Sequence, residues 1–244
     1  MARTIRVYVP DEIPPHGIFE APAEAAHHLL HVLRLGEGDV CIVFDGRGLE
    51  YPATIERIGK SAVTLRVADP REVDRESPLS VTLAQGISSG ERMDYTVQKA
   101  VELGVAAIQP LATERSVVRL SGERAVKRVA HWQGIAVAAC EQSGRNRVPE
   151  VAPVASVTGW LAQLPPDALK LTLSPDAASS LRDLQRPERS IALFIGPEGG
   201  LSPREQEDAS AAGFQGVRLG PRVLRTETAA LAALAAMQAL WGDF

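Results

Sequence analysis

The fold is decided by a stretch that reads Ile191-Ala-Leu-Phe-Ile-Gly-Pro-Glu-Gly-Gly-Leu-Ser-Pro-Arg-Glu205. Its first five residues are all apolar, as in a strand that is buried on both faces of a parallel sheet. The glycines that follow allow the backbone to turn sharply. Ser202 then predicts a helix start, because it can act as N-cap before a proline at the first helical position and can form a capping box with Glu205.

A second stretch repeats this plan and reads Val217-Arg-Leu-Gly-Pro-Arg-Val-Leu-Arg-Thr-Glu-Thr228. We predict a strand over Val217–Leu219, a loop over Gly220–Arg225 and a helix that begins near Thr226 or Glu227. Open α/β sheets bind ligands where loops leave the carboxyl ends of strands. The glycines of one loop could serve the turn alone, but two matched loops that carry charged residues favour a ligand site.

The spacing of these glycines argues against two common cofactor sites. The sequence Gly-Pro-Glu-Gly-Gly does not match the dinucleotide fingerprint G-x-G-x-x-G, and no Lys-Ser or Lys-Thr follows to complete a phosphate-binding loop. A nicotinamide site or a nucleoside triphosphate site of the usual kind is therefore disfavoured.

The pattern of elements changes at a polar segment flanked by prolines, Asp69–Pro78. Before it, several short strands predict a small β-barrel. After it, strands alternate with helices, which predicts a parallel sheet with helices on both faces. We therefore divide the chain into a first domain over residues 1–70, a linker over 71–78 and a second domain over 79–244.

Hydrophobic periodicity supplies the individual elements of both domains. The predicted strands are 5–9, 40–44, 51–58, 62–67, 81–85, 106–111, 169–173, 191–195 and 217–219, and the predicted helices include 23–33, 93–103 and 125–141. The tail over residues 228–241 is apolar nearly all round, so it should be buried on several sides. Its alanines favour a homodimer interface, and burial within one subunit is the alternative.

Composition and charge narrow the class of protein. The 244 residues are 45% hydrophobic, which suffices for real cores, and no apolar run approaches membrane-spanning length, so we expect a cytoplasmic protein. The net charge of −4 argues mildly against nucleic acid, but residues 113–148 carry seven basic and three acidic side chains. Cys41 and Cys140 form no disulfide or zinc pattern, and His27 and His31 lack a third ligand nearby, so we predict no metal.

The two motifs 194–200 and 219–229 resemble the paired cofactor motifs of the SPOUT methyltransferases. More narrowly, the chain is similar to the RsmE-like family, the bacterial uracil-N3 methyltransferases of small-subunit ribosomal RNA. The resemblance covers the whole chain, because further family motifs follow in order. These are His28–Asp39, Phe44–Gly46, Lys99 with Glu102–Val105, Thr113–Ser116 and Glu141–Arg145.

The resemblance implies a fold, a reaction and partners. It implies a SPOUT-type second domain with a trefoil knot, and a PUA-like first domain that is expected to bind RNA. It further implies methylation of uracil N3 of a specific uridine in 16S ribosomal RNA, with S-adenosyl-L-methionine as cofactor and no metal. The RNA is expected in an assembled or nearly assembled subunit, and the enzyme is expected to be a homodimer.

The same resemblance implies site residues. The catalytic residues would be Arg115, Glu141 and Arg225, and the residues that contact RNA would be Arg34, Arg115, Gln142 and Arg145. The proton acceptor for uracil N3 stays open among Glu141, Glu198 and bulk water. The cofactor would be held by Leu173, Ser174, Ile195, Gly196, Gly200, Leu219, Gly220, Leu224, Arg225 and Thr226.

Two other functions compete with this interpretation. One is an RNA-binding module that keeps the fold without catalysis, and the intact glycine loops argue against it, because a pure binder needs no cofactor pocket. The other is a SPOUT enzyme that acts on transfer RNA or on a ribose hydroxyl. The segment Glu141–Arg145 and the N-terminal barrel argue against that second alternative.

Overall fold

The computed structural model describes residues 5–60 and 62–244. Residues 1–4 and Ser61 of the predicted first domain lie outside the described residues. The chain forms two compact units. The first comprises the described residues up to Glu76 together with Val137–Val148, and the second comprises Ser77–Ala136 and Pro149–Phe244.

The first unit is built on one six-stranded sheet with the strand order β1-β3-β4-β5-β2, in which β6 also pairs with β4. β1 is parallel to β3, and all other neighbours are antiparallel. β1 and β2 are thus the outer strands of this sheet. The strands are β1 (Arg6–Tyr8), β2 (Gly17–Ala21), β3 (Val40–Phe44), β4 (Leu49–Ile58), β5 (Val63–Val67) and β6 (Arg71–Glu72).

Strand β5 illustrates why these residues form a half-buried sheet. Val63, Leu65 and Val67 are buried while Thr64 and Arg66 alternate with them on the other face. The helix α1 (Ala23–His27) continues as one π-helical turn over His28–Val32, so the predicted single helix 23–33 is an α-helix only in its first part.

The second unit contains a seven-stranded sheet in which every pair is parallel, as the alternation of strands and helices predicted. The strand order is β10-β8-β7-β12-β11-β13, and β9 pairs with β8. The strands are β7 (Val81–Gly86), β8 (Ala107–Ala112), β9 (Glu150–Val151), β10 (Ala155–Ser156), β11 (Leu169–Leu173), β12 (Ile191–Ile195) and β13 (Gln215–Val217).

The α-helices that follow α1 in the described residues are α2 (Glu91–Glu102), α3 (Gly122–Ser143), α4 (Val157–Leu161), α5 (Pro203–Ala211) and α6 (Thr226–Trp241), and one short 3-10 helix covers Leu181–Asp183. The helices flank the parallel sheet, with α4 packed against α5 and α2 packed against α6. Helix α3 belongs to the second unit up to Ala136 and to the first from Val137.

The predicted strand Ile191–Ile195 is confirmed and lies inside the sheet, between β7 and β11. All five of its residues are buried, as their apolar character predicted. The ring of Phe194 packs against the rings of Trp160 and Phe214, with centroids 5.5 and 6.0 Å away. These contacts fix the strand whose end begins the first glycine loop.

The predicted strand Val217–Leu219 is wrong by two residues, because the structure has this strand at Gln215–Val217. Its partner β11 ends at Leu173, which pairs with Val217. The next N–H group, that of Arg218, donates to the carbonyl oxygen of Ser179 instead, at 3.0 Å. The chain therefore leaves the sheet at Arg218, and the second loop is longer than predicted.

The described part of the chain has neither a membrane-spanning helix nor a cluster of metal ligands. None of its helices is long and apolar enough to cross a membrane. No group of three or more histidine, cysteine, aspartate and glutamate side chains there could hold a metal ion.

Candidate active site

The first glycine loop leads from β12 to α5, whose start has the predicted capping box. The Ser202 hydroxyl accepts from the Glu205 N–H group at 3.2 Å, and the Glu205 carboxylate accepts from the Ser202 N–H group at 2.8 Å. The other oxygen of Glu205 accepts from the N–H group of Glu114, also at 2.8 Å. The buried Glu205 therefore joins this helix start to the loop that precedes Arg115.

The start of this loop needs glycine because the backbone is crowded there. A Cβ atom on Gly196 would lie 2.9 Å from the nitrogen of Leu201, and a Cβ atom on Gly86 would lie 2.6 Å from the nitrogen of Pro197. Gly200 adopts φ +69°, in the left-handed region that favours glycine. The glycines thus let strand β7 and the turning loop approach each other closely.

The second loop runs from Arg218 to Arg225 and ends at the first residue of α6, Thr226. The Thr226 hydroxyl donates to the carbonyl oxygen of Gly196 at 2.6 Å. The side-chain amide of Gln85 donates to the hydroxyl oxygen of Thr226 at 2.9 Å. These bonds tie the end of the second loop to the start of the first.

A cavity of about 830 Å³ lies between the two loops and the end of β11. Its size falls in the range of small-molecule and cofactor sites. The ten residues predicted for the cofactor all line it, and Arg115 does so as well. The lining also includes Arg222 and Glu227, two of the charged loop residues that favoured a ligand site, and polar residues that the sequence did not single out: Arg92, Asp176, Gln206 and Ser210.

Arg225 is the last residue of the second loop. It lines the cavity, and its side chain is exposed. It is the N-cap residue of α6, but its side chain makes no capping hydrogen bond. Among residues 5–60 and 62–244 its guanidinium has no ion-pair partner. An arginine in this state can donate hydrogen bonds to a bound anion or carbonyl group.

Arg115 has a different environment, because its guanidinium contacts the first loop. It donates to the carbonyl oxygens of Gly199 and Leu201 at 3.1 and 3.2 Å. A Cβ atom on Gly199 would come within 3.1 Å of the Cβ atom of Arg115. The side chain of Arg115 therefore packs against this loop and fixes its shape.

Glu198 lies in the first loop and accepts three hydrogen bonds with one oxygen. The donors are the N–H and hydroxyl groups of Ser89, both at 2.8 Å, and the guanidinium of Arg92 at 3.0 Å. Partial burial by itself raises the pKa of Glu198, but these donors outweigh it and lower the pKa from 4.5 to about 2. Glu198 is therefore an ionised anchor and a weak base.

The remaining predicted site residues belong to the first unit. Glu141 accepts from the N–H group of Tyr8 at 3.0 Å, and its other oxygen lies 3.7 Å from Nε2 of His28. Burial raises the pKa of Glu141, although the bond from Tyr8 opposes this shift. Gln142 and Arg34 are exposed, and Arg34 has the left-handed φ of 56° that non-glycine residues seldom adopt.

Arg145 is only 5% exposed and pairs with a carboxylate. Its Nε and Nη2 atoms donate to one oxygen of Glu76 at 3.0 and 2.5 Å. Sequence reasoning missed this partner, because Glu76 lies in the segment predicted as a linker. The only signal for it was a carboxylate in a polar segment, which gives no indication of a contact 69 residues away.

Sequence reasoning also missed Gln85. Its signal was a single polar residue at the end of the apolar strand β7, at the sheet edge where ligands bind. The two cysteines carry no chemistry at this site, because burial raises the pKa of the Cys41 thiol to about 11 and that of Cys140 to about 12.

Comparison with known proteins places this chain among RNA methyltransferases. The family model described as an RNA methyltransferase domain matches residues 75–238, and the model described as an RNA methyltransferase PUA domain matches residues 22–68. The ribosomal RNA small subunit methyltransferase E of Bacillus subtilis is 35% identical over 93% of this chain and 93% of its own length.

Two solved structures are similar over nearly the full length. The ribosomal RNA small subunit methyltransferase E of Neisseria gonorrhoeae, bound to S-adenosyl methionine, is 45% identical with a TM-score of 0.93, covering 99% of this chain and 100% of that one. A Legionella pneumophila protein in complex with the same cofactor is 45% identical with a TM-score of 0.95, covering 100% of both chains.

Proposed function

We propose a reaction on the premise that this chain belongs, as its full-length similarity shows, to the ribosomal RNA small subunit methyltransferase E family. It is an RNA methyltransferase with S-adenosylmethionine as cofactor. Its substrate is the N3 position of a uridine in 16S ribosomal RNA. The observation that carries this proposal is the cavity between the two glycine loops, which all ten predicted cofactor residues line.

The residues of the cavity fit the proposed cofactor. Gly196, Gly200 and Leu219 line the cavity, where backbone groups other than the Gly196 carbonyl and the Gly200 N–H, which are bonded within the protein, can hold the adenine ring. When bound, S-adenosylmethionine supplies an electrophilic methyl group, so the reaction needs no metal. The protein then has to orient the uracil, stabilise its charge and exclude water.

Transfer to uracil N3 requires the loss of the N3 proton. The bond between N3 and the methyl carbon then forms as the bond between the methyl carbon and the sulfur of S-adenosylmethionine breaks. Ionisation places negative charge on the uracil carbonyl oxygens, and the exposed guanidinium of Arg225 at the cavity can stabilise it. Arg115 contributes by holding the loop through Gly199 and Leu201, and its remaining N–H groups are available to RNA.

The environments of the two carboxylates narrow the choice of proton acceptor. Glu198, with its pKa of about 2, is poorly suited to accept a proton. Burial raises the pKa of Glu141, which favours it as a base, although Glu141 belongs to the first unit and is not among the residues that line the cavity. Bulk water after assisted ionisation is the alternative. A loss of the acidic limb of the pH–rate profile in Glu141→Gln would favour Glu141, and an unchanged profile would favour water.

The first unit is the proposed site of RNA binding, as the match to the PUA family model supports. The exposed side chains of Arg34 and Gln142 are suited to contact RNA. Arg145 was assigned to the same role, and its bonds to Glu76 favour a structural contribution to this surface. The RNA is proposed to lie in an assembled or nearly assembled small subunit in the cytoplasm.

We further propose that the enzyme is a homodimer that uses α6. One face of this helix is buried within the subunit and includes Ala230, Leu234 and Met237. The opposite face carries Ala232, Ala235 and Ala239, which are half-buried or exposed. Sedimentation equilibrium tests this proposal, and a monomeric mass at micromolar concentration would contradict it.

The trefoil knot is also part of the proposal. The bonds among Gln85, Gly196 and Thr226 bring the entry to α6 beside the first loop, as a chain crossing there requires. An experimental chain trace tests the knot, and a tail that passes outside the preceding loops would contradict it.

The reaction is tested by methyl transfer from labelled S-adenosylmethionine to small subunits that lack the modification, followed by nucleoside analysis. Label in 3-methyluridine supports the proposal. Label on another base or on ribose would retain an RNA methyltransferase and reject uracil N3. The absence of both transfer and calorimetric cofactor binding would favour an RNA-binding module without catalysis.

A further inference from the structure

Gln85 is a polar residue in the middle of the parallel sheet. It lies near the end of β7, between β8 and β12, and is 0% exposed. Its Nε2 atom donates to the hydroxyl of Thr226 at 2.9 Å and to the carbonyl oxygen of Gly86 at 3.0 Å. A longer contact of 3.4 Å reaches the carbonyl oxygen of Gly196.

The chemistry of these partners fixes the orientation of the Gln85 amide. Carbonyl oxygens only accept, so the NH₂ group must face Gly86 and Gly196. The hydroxyl proton of Thr226 is donated to Gly196 at 2.6 Å, which leaves its oxygen to accept from Gln85. The Oε1 atom of Gln85 is buried and has no hydrogen-bond partner in the described part of the chain.

An unpaired buried acceptor lowers the stability of the folded chain. An apolar side chain of similar length would fill the same space without that cost. General stability therefore does not account for glutamine at this position. Its distinguishing property is an NH₂ group that donates to the Thr226 hydroxyl and lies 3.4 Å from the carbonyl oxygen of Gly196, so it contacts the end of one cavity loop and the start of the other.

We propose that Gln85 is a positioning residue that, together with the Thr226 hydroxyl, holds the two cavity loops at a fixed separation and thereby orients the adjacent Arg225. Gly196 is the first residue of one loop, and Thr226 directly follows the last residue of the other. Arg225 directly precedes Thr226, and its side chain makes no capping hydrogen bond that would hold it in place. This inference rests on the proposed function only in its kinetic part.

Three variants separate the parts of this device. Gln85→Met removes both amide groups and keeps the length of the side chain. Thr226→Val removes the hydroxyl at nearly constant shape, and Thr226→Ser keeps it. Gln109→Met is the matched control, because the Gln109 amide likewise donates to the carbonyl of the next residue, Pro110, at 3.0 Å but makes no bond to either cavity loop.

The binding probe is S-adenosylhomocysteine, measured by calorimetry, and the kinetic readouts are kcat and the KM for S-adenosylmethionine. We expect Gln85→Met and Thr226→Val to weaken binding about tenfold and to lower kcat at saturating cofactor by about tenfold or more, as small misplacements do. Gln109→Met should stay within about twofold of the wild type, and Thr226→Ser, which keeps the hydroxyl, should lose clearly less than Thr226→Val. Urea unfolding should show Gln85→Met no less stable than Gln109→Met.

Each outcome decides the matter. Wild-type affinity and kcat in Gln85→Met would overturn the inference, and so would losses that merely follow a fall in unfolding free energy or that Thr226→Ser shares. A wild type that binds S-adenosylhomocysteine but forms no 3-methyluridine would reject the proposed reaction alone. In that case the Gln85 device still stands on the binding losses of Gln85→Met and Thr226→Val.

Discussion

Arginines of the two units differ in what surrounds them. In the first unit, Arg6 donates to Glu50 at 2.7 Å and Arg145 pairs with Glu76, and both side chains are only 7% exposed. At the cavity of the second unit, Arg225 is exposed, and within the described residues its guanidinium has no ion-pair partner. The same residue type is thus part of the structure at Arg6 and Arg145 and open to a ligand at Arg225.

The difference follows from the cost of burial. A guanidinium removed from water needs a carboxylate partner, and the pair then holds distant segments together. At Glu50, the guanidinium groups of Arg6 and Arg75 keep the pKa of the carboxyl below its usual value against the effect of burial. An exposed guanidinium remains hydrated, so its N–H groups can donate to a bound ligand.

The largest effect is expected from breaking a buried pair. Arg145→Ala removes the partner of the Glu76 carboxylate and both bonds to its Oε2 atom, and should lower the free energy of unfolding by about 3 to 5 kcal/mol. Urea denaturation measures this. Arg66→Ala is the control, because its pair with Glu56 is exposed and should cost at most about 1 kcal/mol. Equal losses in the two variants would contradict the contrast.

The next largest effect is expected on kcat, with no change in the free energy of unfolding. Arg225→Ala should lower kcat by about 10² to 10³, the usual loss when a preorganised donor to a developing negative charge is removed. Its free energy of unfolding should stay within about 0.5 kcal/mol of the wild type, because no partner is left behind. The exposed Arg204 on α5 lies outside the cavity lining and serves as control. Equal kcat losses in Arg204→Ala and Arg225→Ala would deny Arg225 its role.

Arg92 is intermediate, because it lines the cavity but pairs with Glu198 at 3.0 Å. The pKa of Glu198 falls from 4.5 to about 2 on folding. The stabilisation of the folded state by ionised Glu198 is therefore complete above about pH 5 and is lost as the pH falls toward 2. Glu198→Gln should therefore be less stable by about 1 to 2 kcal/mol at pH 7, allowing for screening by solvent. The difference should shrink in melting curves at pH 3. A difference that stays constant with pH would refute the assignment.

The smallest effect is expected from removing a neutral group, the hydroxyl of a serine that caps a helix. Ser202→Ala removes the N-cap that holds Glu205 and should cost about 1 kcal/mol. Ser156 caps α4 at 3.1 Å without a reciprocal carboxylate, so Ser156→Ala should cost less. Thermal unfolding of both variants measures the difference. A larger loss in Ser156→Ala would show that the reciprocal bond adds nothing.

Much of the second unit was predictable because its signals are local. Five consecutive apolar residues predicted the strand Ile191–Ile195, and the sequence Ser-Pro-Arg-Glu predicted the start of α5 at Pro203. The end of β13 was misplaced, because it depends on where the neighbouring strand β11 stops. No pattern within Val217–Leu219 contains that information.

The resemblance supplied site residues that the pattern of residues alone could not. All ten cofactor residues line one cavity, although they come from three separate segments of the chain. The roles of the individual residues remain predictions, since the structure gives their surroundings and not their chemistry. Gln85 escaped notice because its function depends on partners 111 and 141 residues away.

The sequence by itself determined the parallel sheet, the two glycine loops and the helix start at Ser202, because hydrophobic period, glycine conformation and capping act within a few residues. Only the tertiary structure decided which charged groups are buried in pairs and which face the cavity. Arg145 and Arg225 have similar local sequence signals, and their difference arises from distant partners. The free energy of a charge depends on its surroundings in space.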